Sequence, residues 1–443
     1  MTKAAPAARP PIPCALIVLD GLGDRPSPET GGLSPVEAAM TPHLDRLAAL
    51  GDYGEVSILG PGIAPESDAG VLALLGYDPV RDSPGRGVLE ALGVEVPLRR
   101  GDVALRLNFA TLDRSGKVLD ARVGRSLKTA EAAELARSVT AEDLLNDAGI
   151  QAEVRATVGH RGVLWLRRRS GGALSPNVSN ADPFYEKVGG MGQARRPKEP
   201  RLLPVEPLDG TPEAARTARA LNLFLERVGR VLVDHPVNAA RRSRGEPEAT
   251  GLLVRNAGTL PEPPPEPFAR RWGRPGAALT EMPVERGIAR LLGLEDRFVG
   301  PMGADRLAGY RTRAELTREL LASFPFVYVH LKGPDEPGHD GNARRKQEVI
   351  EEIDRGFFGP FLSGLDFAAV RVTVTADHAT PCVLRGHSDD PVPWLLAGGS
   401  RVPARAARPL KFGRVAAASA GGPPLSASDV LPRLFGRSAP AHR

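Results

Sequence analysis

The stretch ALIVLDGLGD, residues 15–24, decides the fold of this chain. Five apolar residues, Ala15 to Leu19, stop abruptly at Asp20, and Gly and Asp follow. A short apolar run bounded in this way is typical of a buried strand in a parallel sheet. In α/β proteins the loop after such a strand lies at the edge where ligands bind. We therefore expect an α/β fold in which Asp20 borders a functional site.

Helical and strand-like segments elsewhere in the chain support this prediction. The spacing of apolar residues predicts one helix from Pro35 to Leu50 and a second from Ser67 to Gly76. Two further apolar, β-branched runs, Phe326 to Leu331 and Val370 to Thr375, each lead into charged residues. The fold class we expect is α/β, with a mainly parallel sheet flanked by helices.

The middle of the chain has a different pattern. Residues 101–249 contain β-rich runs such as Val154 to Leu166, a long helix candidate at Pro212 to Val233, and joints rich in Pro and Arg. We interpret 101–249 as a smaller α+β domain inserted into a core made of 1–100 and 250–443. We expect the insertion to bind substrate and to act as a lid.

The composition excludes several classes of protein. The 443 residues are 42% hydrophobic with a net charge of only +5, and basic and acidic residues are interspersed, so we expect no nucleic-acid partner. No apolar stretch is long enough to span a membrane, and the N-terminal region does not resemble a secretion leader. Two cysteines, Cys14 and Cys382, suit a reducing compartment. We expect a cytoplasmic protein with no membrane partner, either monomeric or homo-oligomeric.

Carboxylate and imidazole side chains follow two of the predicted strands. Asp335 and His339 are four residues apart after one strand, and Asp377 and His378 are adjacent after the other. The first pair taken alone could be a solvated loop, but the chain has only 8 histidines in all. Mixed carboxylate and imidazole ligands suit zinc, manganese or iron. The candidate ligands, sufficient for two ions, are Asp20, Asp335, His339, Asp377, His378 and His387.

A hydroxyl nucleophile would complete such a site. Two divalent ions about 3.5–4 Å apart can clamp a phosphoryl group and lower the pKa of a bound hydroxyl. Ser67 is the best candidate, because it opens a predicted helix whose N-terminal amides stabilise negative charge. Local sequence alone favours a role for Ser67 as a helix cap over one as a nucleophile, because capping is a common role of serine.

Taken together, these motifs resemble the archaeal-type 2,3-bisphosphoglycerate-independent phosphoglycerate mutases of the alkaline phosphatase superfamily. The resemblance extends over nearly the whole chain. It is carried by LIVLDGLGDRP (16–26), LSPVEAAMTPHLDRLAALG (33–51), GPGIAPESDAGVLALLGYDP (60–79), GRGVLEALG (85–93), GDVALRLNFATLD (101–113), VGHRGVLWLR (158–167), HPVN (235–238), DEPGHDGN (335–342), ADHATPC (376–382) and HSDDPVP (387–393).

The resemblance implies an alkaline phosphatase-like core and a specific reaction. That reaction is the interconversion of 2-phosphoglycerate and 3-phosphoglycerate through a phosphoserine on Ser67. Two divalent ions, most often manganese, with magnesium, zinc or cobalt as alternatives, would be the cofactors, and 2,3-bisphosphoglycerate would not be required. One ion would be held by Asp335, His339 and His387. The other would be held by Asp20, Ser67, Asp377 and His378.

The resemblance also implies residues that bind a small phosphorylated acid. Lys332, just before the metal-binding loop, would neutralise the transferring phosphoryl group. Arginine suits phosphate and carboxylate groups because it can donate two hydrogen bonds at once. The substrate-binding candidates are Arg122, Arg125, His160, Arg161, Asp182 and Arg255.

Five positions depart from the family pattern. Val71 stands where a histidine is usual, Asn180-Ala181 replaces the first half of an acidic segment, Thr250 replaces an asparagine, and Asn256 replaces a glycine. None is a proposed metal ligand. Two alternatives therefore stay open: a related metal-dependent phosphotransferase or phosphohydrolase acting on another small phosphorylated or phosphonate metabolite, and a catalytically silent member of the family.

Overall fold

The computed structural model describes residues 11–188, 191–195, 197–399, 411–414 and 423–436. The first ten residues, part of the N-terminal region in which we expect no leader, lie outside this set. The strands are β1 (Cys14–Leu19), β2 (Gly51–Ser57), β3 (Val103–Leu112), β4 (Val118–Asp120), β5 (Ile150–Ala156), β6 (Arg161–Arg168), β7 (Tyr185–Val188), β8 (Met191–Ala194), β9 (Gly251–Gly258), β10 (Ala277–Thr280), β11 (Glu295–Phe298), β12 (Phe326–Leu331), β13 (Arg371–Thr375), β14 (Val392–Gly398) and β15 (Leu425–Ser426).

The described α-helices range from 4 to 22 residues in length. They are α1 (Pro35–Ala38), α2 (Pro42–Ala49), α3 (Ser67–Leu74), α4 (Arg86–Gly93), α5 (Thr129–Ala141), α6 (Pro212–Val233), α7 (Pro236–Ser243), α8 (Phe268–Trp272), α9 (Pro283–Leu291), α10 (Arg306–Ser323), α11 (Asp335–Asp340), α12 (Ala343–Ile353), α13 (Gly359–Leu362) and α14 (Val430–Leu434).

The chain divides into two units. The first comprises 1–79, 266–285 and 292–443, and the second comprises 80–265 and 286–291. The insertion predicted from sequence, 101–249, falls inside the second unit, which begins earlier, at Val80, and ends its main segment later, at Pro265. The difference arises because α4 and β9 pack with β3 in the second unit's sheet layer.

The first unit is built on an eight-stranded sheet in the order β11-β10-β12-β1-β13-β14-β2-β15. Its strands are parallel except for β14, which runs antiparallel to both of its neighbours. The central strand β1 is buried along its whole length, as the apolar run predicts. The mainly parallel α/β fold class is therefore confirmed.

Strand register brings three loops to one edge of this sheet. β1 lies between β12 and β13, with Leu19 opposite Leu331 and Val18 opposite Thr375. Because all three strands are parallel and end almost level, the residues that follow them emerge side by side.

One predicted helix is wrong in detail. The segment from Pro35 to Leu50 forms α1 and α2 rather than one helix. Pro42 is the cause, because a proline lacks the backbone N–H of a continuing helix and disfavours helical geometry in the residue before it. Thr41 accordingly has φ −125° and ψ 60°.

The second unit has a five-stranded antiparallel sheet in which β3 pairs with β4, β6 and β9. Its apolar core lies between this sheet and α5 and α6, and α6 has the bounds predicted from sequence. Within the described part of the chain, no helix has the length and apolar character needed to cross a bilayer.

Candidate functional site

The first unit gathers the candidate metal ligands into two groups. Asp335, His339 and His387 form the first ligand group, in which one donor atom of each residue lies within 4.8 Å of the others. Asp335 and His339 are one turn apart on α11, which places both side chains on the same face. Nε2 of His339 and Nε2 of His387 each lie 3.5 Å from Oδ1 of Asp335.

Asp20, Asp377 and His378 form the second ligand group, whose donor atoms also lie within 4.8 Å of one another. All three residues are buried. Nε2 of His378 lies 3.5 Å from Oδ1 of Asp20 and 3.4 Å from Oδ2 of Asp377. The two groups contain the six carboxylate and imidazole ligands predicted from sequence.

The second ligand group fits a divalent cation. Oδ1 of Asp20 and Oδ2 of Asp377 are buried, and neither accepts a hydrogen bond from the described residues. Buried carboxylate oxygens without partners are costly, and a cation between them would remove that cost. Mixed oxygen and nitrogen donors of this kind suit manganese or zinc.

The ring orientation of His387 also suits a metal ligand. Nδ1 of His387 lies 2.8 Å from the carbonyl oxygen of Pro65, to which it donates. This hydrogen bond leaves Nε2 with a free lone pair on the side of Asp335. Partners of this type commonly orient metal-binding histidines.

Ser67 lies at the second ligand group. It is the first residue of α3, and the N-cap is Glu66, so the alternative interpretation of Ser67 as a helix cap is wrong. Its hydroxyl oxygen lies 3.3 Å from Nε2 of His378. Gly70, one turn later, allows the approach of α3, because a Cβ at this position would lie 2.2 Å from the carbonyl oxygen of Asp377.

Lys332 lies beside the same group. Its Nζ is 3.1 Å from Oδ2 of Asp20 and 2.7 Å from Oε1 of Glu285. Burial alone would lower the pKa of Lys332, but the charges of Asp20 and Glu285 outweigh it and raise the pKa above its usual value. Lys332 therefore supplies a permanent positive charge at the edge of the sheet.

The two carboxyls of the second group respond differently to burial. Burial acts to raise the pKa of Asp20, yet the charge of Lys332 holds it well below the usual value. Burial and the charge of Asp20 raise the pKa of Asp377 above its usual value. The charges of His378, His330 and Lys332 only partly offset the burial of Asp377, so a metal ion beside this carboxylate would stabilise its charged form.

The second unit contains a cationic cluster, which we define as Arg86, Arg106, Arg122, Arg161, Arg255 and His160. Arg106 on β3 pairs in register with Arg255 on β9. Burial and the charges of Arg161 and Arg122 lower the pKa of His160 to about 3. His160 is therefore neutral near pH 7 and can both donate and accept a hydrogen bond.

Two buried carboxylates balance part of this charge. Oε1 of Glu90 lies 3.2 Å from Nε of Arg86 and 3.2 Å from Nε of Arg106. Oδ2 of Asp182 lies 2.6 Å from Nη1 of Arg255. In the contacts described for this cluster, two carboxylates face five arginines, and this arginine-rich composition suits an anionic ligand.

Two of the predicted substrate-binding residues of the second unit, Arg122 and Arg125, lie at its surface. Arg122 directly precedes a turn at 123–125, Arg125 is the last residue of that turn, and both arginines are exposed. Arg122 is close enough to lower the pKa of His160 and of Arg161. Asp182 is almost fully buried, so its place in the structure is that of a partner of Arg255.

Two of the departures from the family pattern lie together. The backbone N–H of Asn256 donates to Oδ1 of Asn180, with a distance of 3.0 Å. Asn256 has φ +55°, a conformation that favours glycine but that asparagine tolerates better than most residues. Thr250 stabilises the end of β3, because its hydroxyl donates a hydrogen bond to the carbonyl oxygen of Leu112. Val71 is buried in α3.

Several functional neighbours were not predicted. His330 is buried within β12, with Nε2 3.6 Å from Oδ1 of Asp20, and the signal was a titratable residue inside an apolar strand. Glu285 and Thr380 carry no local signal, because their partners are distant in sequence. Arg86 and Arg106 lie in the quoted segments 85–93 and 101–113, but many other arginines offered the same signal.

Comparison with known sequences agrees with this geometry. A family profile described as 2,3-bisphosphoglycerate-independent phosphoglycerate mutase matches residues 48–238. A protein of that name from Aeropyrum pernix is 46% identical over 384 residues, which are 86% of this chain and 89% of the relative. A protein of the same name from Methanopyrus kandleri is 42% identical over 86% of each chain.

Solved structures show the same similarity. A structure of a protein from Pyrococcus horikoshii has a TM-score of 0.74 and 29% identity, covering 98% of this chain and 100% of that one. The cofactor-independent phosphoglycerate mutase of Thermoplasma acidophilum has a TM-score of 0.61 and 32% identity, covering 96% of this chain and 99% of that one.

Proposed function

Because the chain belongs to the 2,3-bisphosphoglycerate-independent phosphoglycerate mutase family, we propose that it interconverts 2-phosphoglycerate and 3-phosphoglycerate through a phosphoserine on Ser67. The observation that carries the proposal is the position of Ser67, whose hydroxyl lies 3.3 Å from Nε2 of His378 in the buried ligand group. A serine with a purely structural role would not need to lie beside buried carboxylate and imidazole atoms.

The metal ions are part of the proposal. The family is metal-dependent, and we propose manganese at both ligand groups, with Asp335, His339 and His387 at one ion and Asp20, Ser67, Asp377 and His378 at the other. When bound, such ions lower the pKa of a hydroxyl and offset charge on a phosphoryl group. We further propose that 2,3-bisphosphoglycerate is not required.

The chain's own residues account for the transfer in two displacements. Oγ of Ser67 attacks the phosphorus and a P–O bond to serine forms, while the bond to the glycerate oxygen breaks and that oxygen takes up the proton that the serine hydroxyl loses. The other hydroxyl of glycerate then attacks the phosphoserine, and the bond to Oγ breaks. Lys332 adds positive charge that stabilises the phosphoryl oxygens in both steps.

We assign recognition of the substrate's anionic groups to the second unit. The excess of arginine over buried carboxylate in the cationic cluster supports this assignment, with Arg161 and the neutral His160 as its hydrogen-bonding members. Arg122 and Arg125 would contribute from the exposed turn, and Arg255 would be held in place by Asp182. The proposed compartment is the cytoplasm, in keeping with two buried, unpaired cysteines.

The test is to incubate the manganese-loaded protein with 3-phosphoglycerate and to measure 2-phosphoglycerate and free phosphate. We expect isomerisation with little phosphate release. Ser67→Ala should abolish the reaction. Ser34→Ala is the matched control, because Ser34 is a true helix cap in a capping box with Glu37, and its loss should reduce stability by about 1 kcal/mol without removing activity. Phosphate release without isomer would overturn the proposal.

A further inference from the structure

One hydroxyl group joins the two ligand groups. Oγ1 of Thr380 donates a hydrogen bond to Oδ1 of Asp335 in the first group, with a distance of 2.7 Å. The same oxygen lies 3.1 Å from Nδ1 of His378 in the second group. Thr380 is fully buried, so solvent does not compete for these hydrogen bonds.

The number of available protons determines the direction of each hydrogen bond. A threonine hydroxyl has one proton, and a carboxylate that binds metal is deprotonated and can only accept. The proton of Thr380 therefore goes to Asp335, and Nδ1 of His378 must carry the proton that it donates to Thr380. Nε2 of His378 is then left with its lone pair directed towards Asp20 and Asp377, as a metal ligand requires.

The backbone of Thr380 is anchored as firmly as its side chain. Its N–H donates to the carbonyl oxygen of Gly23, at 3.0 Å, and its carbonyl oxygen accepts from Nζ of Lys346, at 2.9 Å. Nζ of Lys346 also donates to the carbonyl oxygen of Gly23, at 3.0 Å, and to Oδ2 of Asp24, at 2.9 Å. Lys346 is fully buried, and its three protons have three acceptors.

This anchor ties Thr380 to the loop that carries Asp20. The space around its hydroxyl is also closely filled, because a Cβ at Gly21 would lie 2.6 Å from Oγ1 of Thr380. Thr380 therefore has little freedom to turn its hydroxyl away from the two ligands.

We propose that Thr380 is a positioning residue that couples the two metal sites, since its single hydroxyl orients Asp335 at one ion and sets the ring tautomer of His378 at the other. The inference rests on the two-metal site of the proposed function. Loss of this hydroxyl should weaken both sites together. Hydrogen-bonding partners of metal ligands typically account for about 10–100-fold in affinity.

The test is a calorimetric titration of the metal-free protein with Mn²⁺, for the wild type, Thr380→Val and Thr380→Ser. We expect the valine variant to bind both ions at least about 10-fold more weakly and the serine variant to bind them nearly as the wild type does. Thr373→Val is the matched control, because Thr373 is also buried and donates its hydroxyl to the carbonyl oxygen of Leu395. This control should leave both affinities unchanged.

Melting curves in EDTA establish that each variant is folded before metal is added. Should the valine variant melt below the assay temperature, Thr380→Ala replaces it, because alanine removes the same hydroxyl without adding a methyl group. Unchanged affinities, or weakening of one site alone, would overturn the inference and leave the proposed function intact. Failure of the wild type to bind two ions would overturn both.

Discussion

Oγ of Ser67 lies 3.3 Å from Nε2 of His378, although 311 residues separate the two in sequence. The contact exists because α3 begins at Ser67 and packs by way of Gly70 against the loop that carries Asp377. The hydroxyl thus lies at a group of buried carboxylate and imidazole atoms rather than at a helix terminus alone. Each of the following predictions tests one part of this arrangement.

Removal of metal should abolish activity and lower stability. Asp20 and Asp377 are buried close together, so the folded protein should bind divalent ions far better than the unfolded chain. Mn²⁺ at about 100 times its dissociation constant should raise the free energy of unfolding by about 2.7 kcal/mol for each site that it occupies. Thermal melts in EDTA and in Mn²⁺ measure this difference. Identical melts, together with activity that survives exhaustive chelation, would argue against a metal centre.

Gly70→Ala should damage the site from inside α3. The added Cβ would lie 2.2 Å from the carbonyl oxygen of Asp377, so the helix and the metal-binding loop must move apart. We expect a loss of about 1–3 kcal/mol in stability and weaker binding of Mn²⁺. Gly229→Ala in α6 is the control, because its Cβ would contact nothing closer than 3.8 Å and alanine favours a helix by about 0.5–1 kcal/mol. Equal stability and equal Mn²⁺ affinity of the two variants would contradict the close approach of α3 to the loop that carries Asp377.

Glu90→Gln should destabilise the second unit. The change leaves Arg86 and Arg106 without their shared carboxylate, in a region already rich in positive charge. Loss of one partner from a buried ion pair costs about 3–5 kcal/mol. Glu226→Gln is the matched control, because Glu226 pairs with Arg230 at the exposed surface and should change stability by less than about 1 kcal/mol. Urea denaturation measures the free energy of unfolding of both variants. A loss at Glu90 as small as that at Glu226 would mean that the stability of the second unit does not depend on the Glu90 carboxylate.

His160 should make stability depend on pH. Its pKa is lowered from 6.5 to about 3, so below pH 6.5 the unfolded chain binds a proton that the folded chain does not. This contribution to stability is therefore lost as the pH falls from 6.5 towards 3, at no more than about 1.4 kcal/mol per pH unit. His160→Gln should show a flatter decline between about pH 6.5 and about pH 5. Urea denaturation at a series of pH values measures the free energy of unfolding of the two proteins. An equal decline in both proteins between about pH 6.5 and about pH 5 would contradict the low pKa of His160.

The acidic residues that follow strands could be predicted from sequence, because an apolar run that leads into charged residues is a local signal. Asp20, Asp335 and Asp377 were found in this way, and the parallel register of β1, β12 and β13 brings their loops together. The roles of Glu285 and Lys346 could not be predicted, because each depends on partners that are distant in sequence.

The secondary structure shows the same division. Helix α6 was predicted to its last residue, because its apolar spacing and its terminal signals agree. The break before Pro42 was not predicted, because the apolar residues keep their helical spacing across it although the helical backbone is interrupted there. The extent of the second unit depends on how β9 pairs with β3, and strand pairing leaves no local pattern in the sequence.

The most direct test of the central claim is to look for phosphate on Ser67 during turnover. Manganese-loaded protein is mixed with 3-phosphoglycerate, quenched in acid within milliseconds, digested and analysed by mass spectrometry. We predict a phosphorylated peptide that carries the group on Ser67, is absent from the Ser67→Ala protein, and disappears once substrate is removed. Formation of 2-phosphoglycerate at the normal rate with no phosphate on Ser67 at any time would contradict the account.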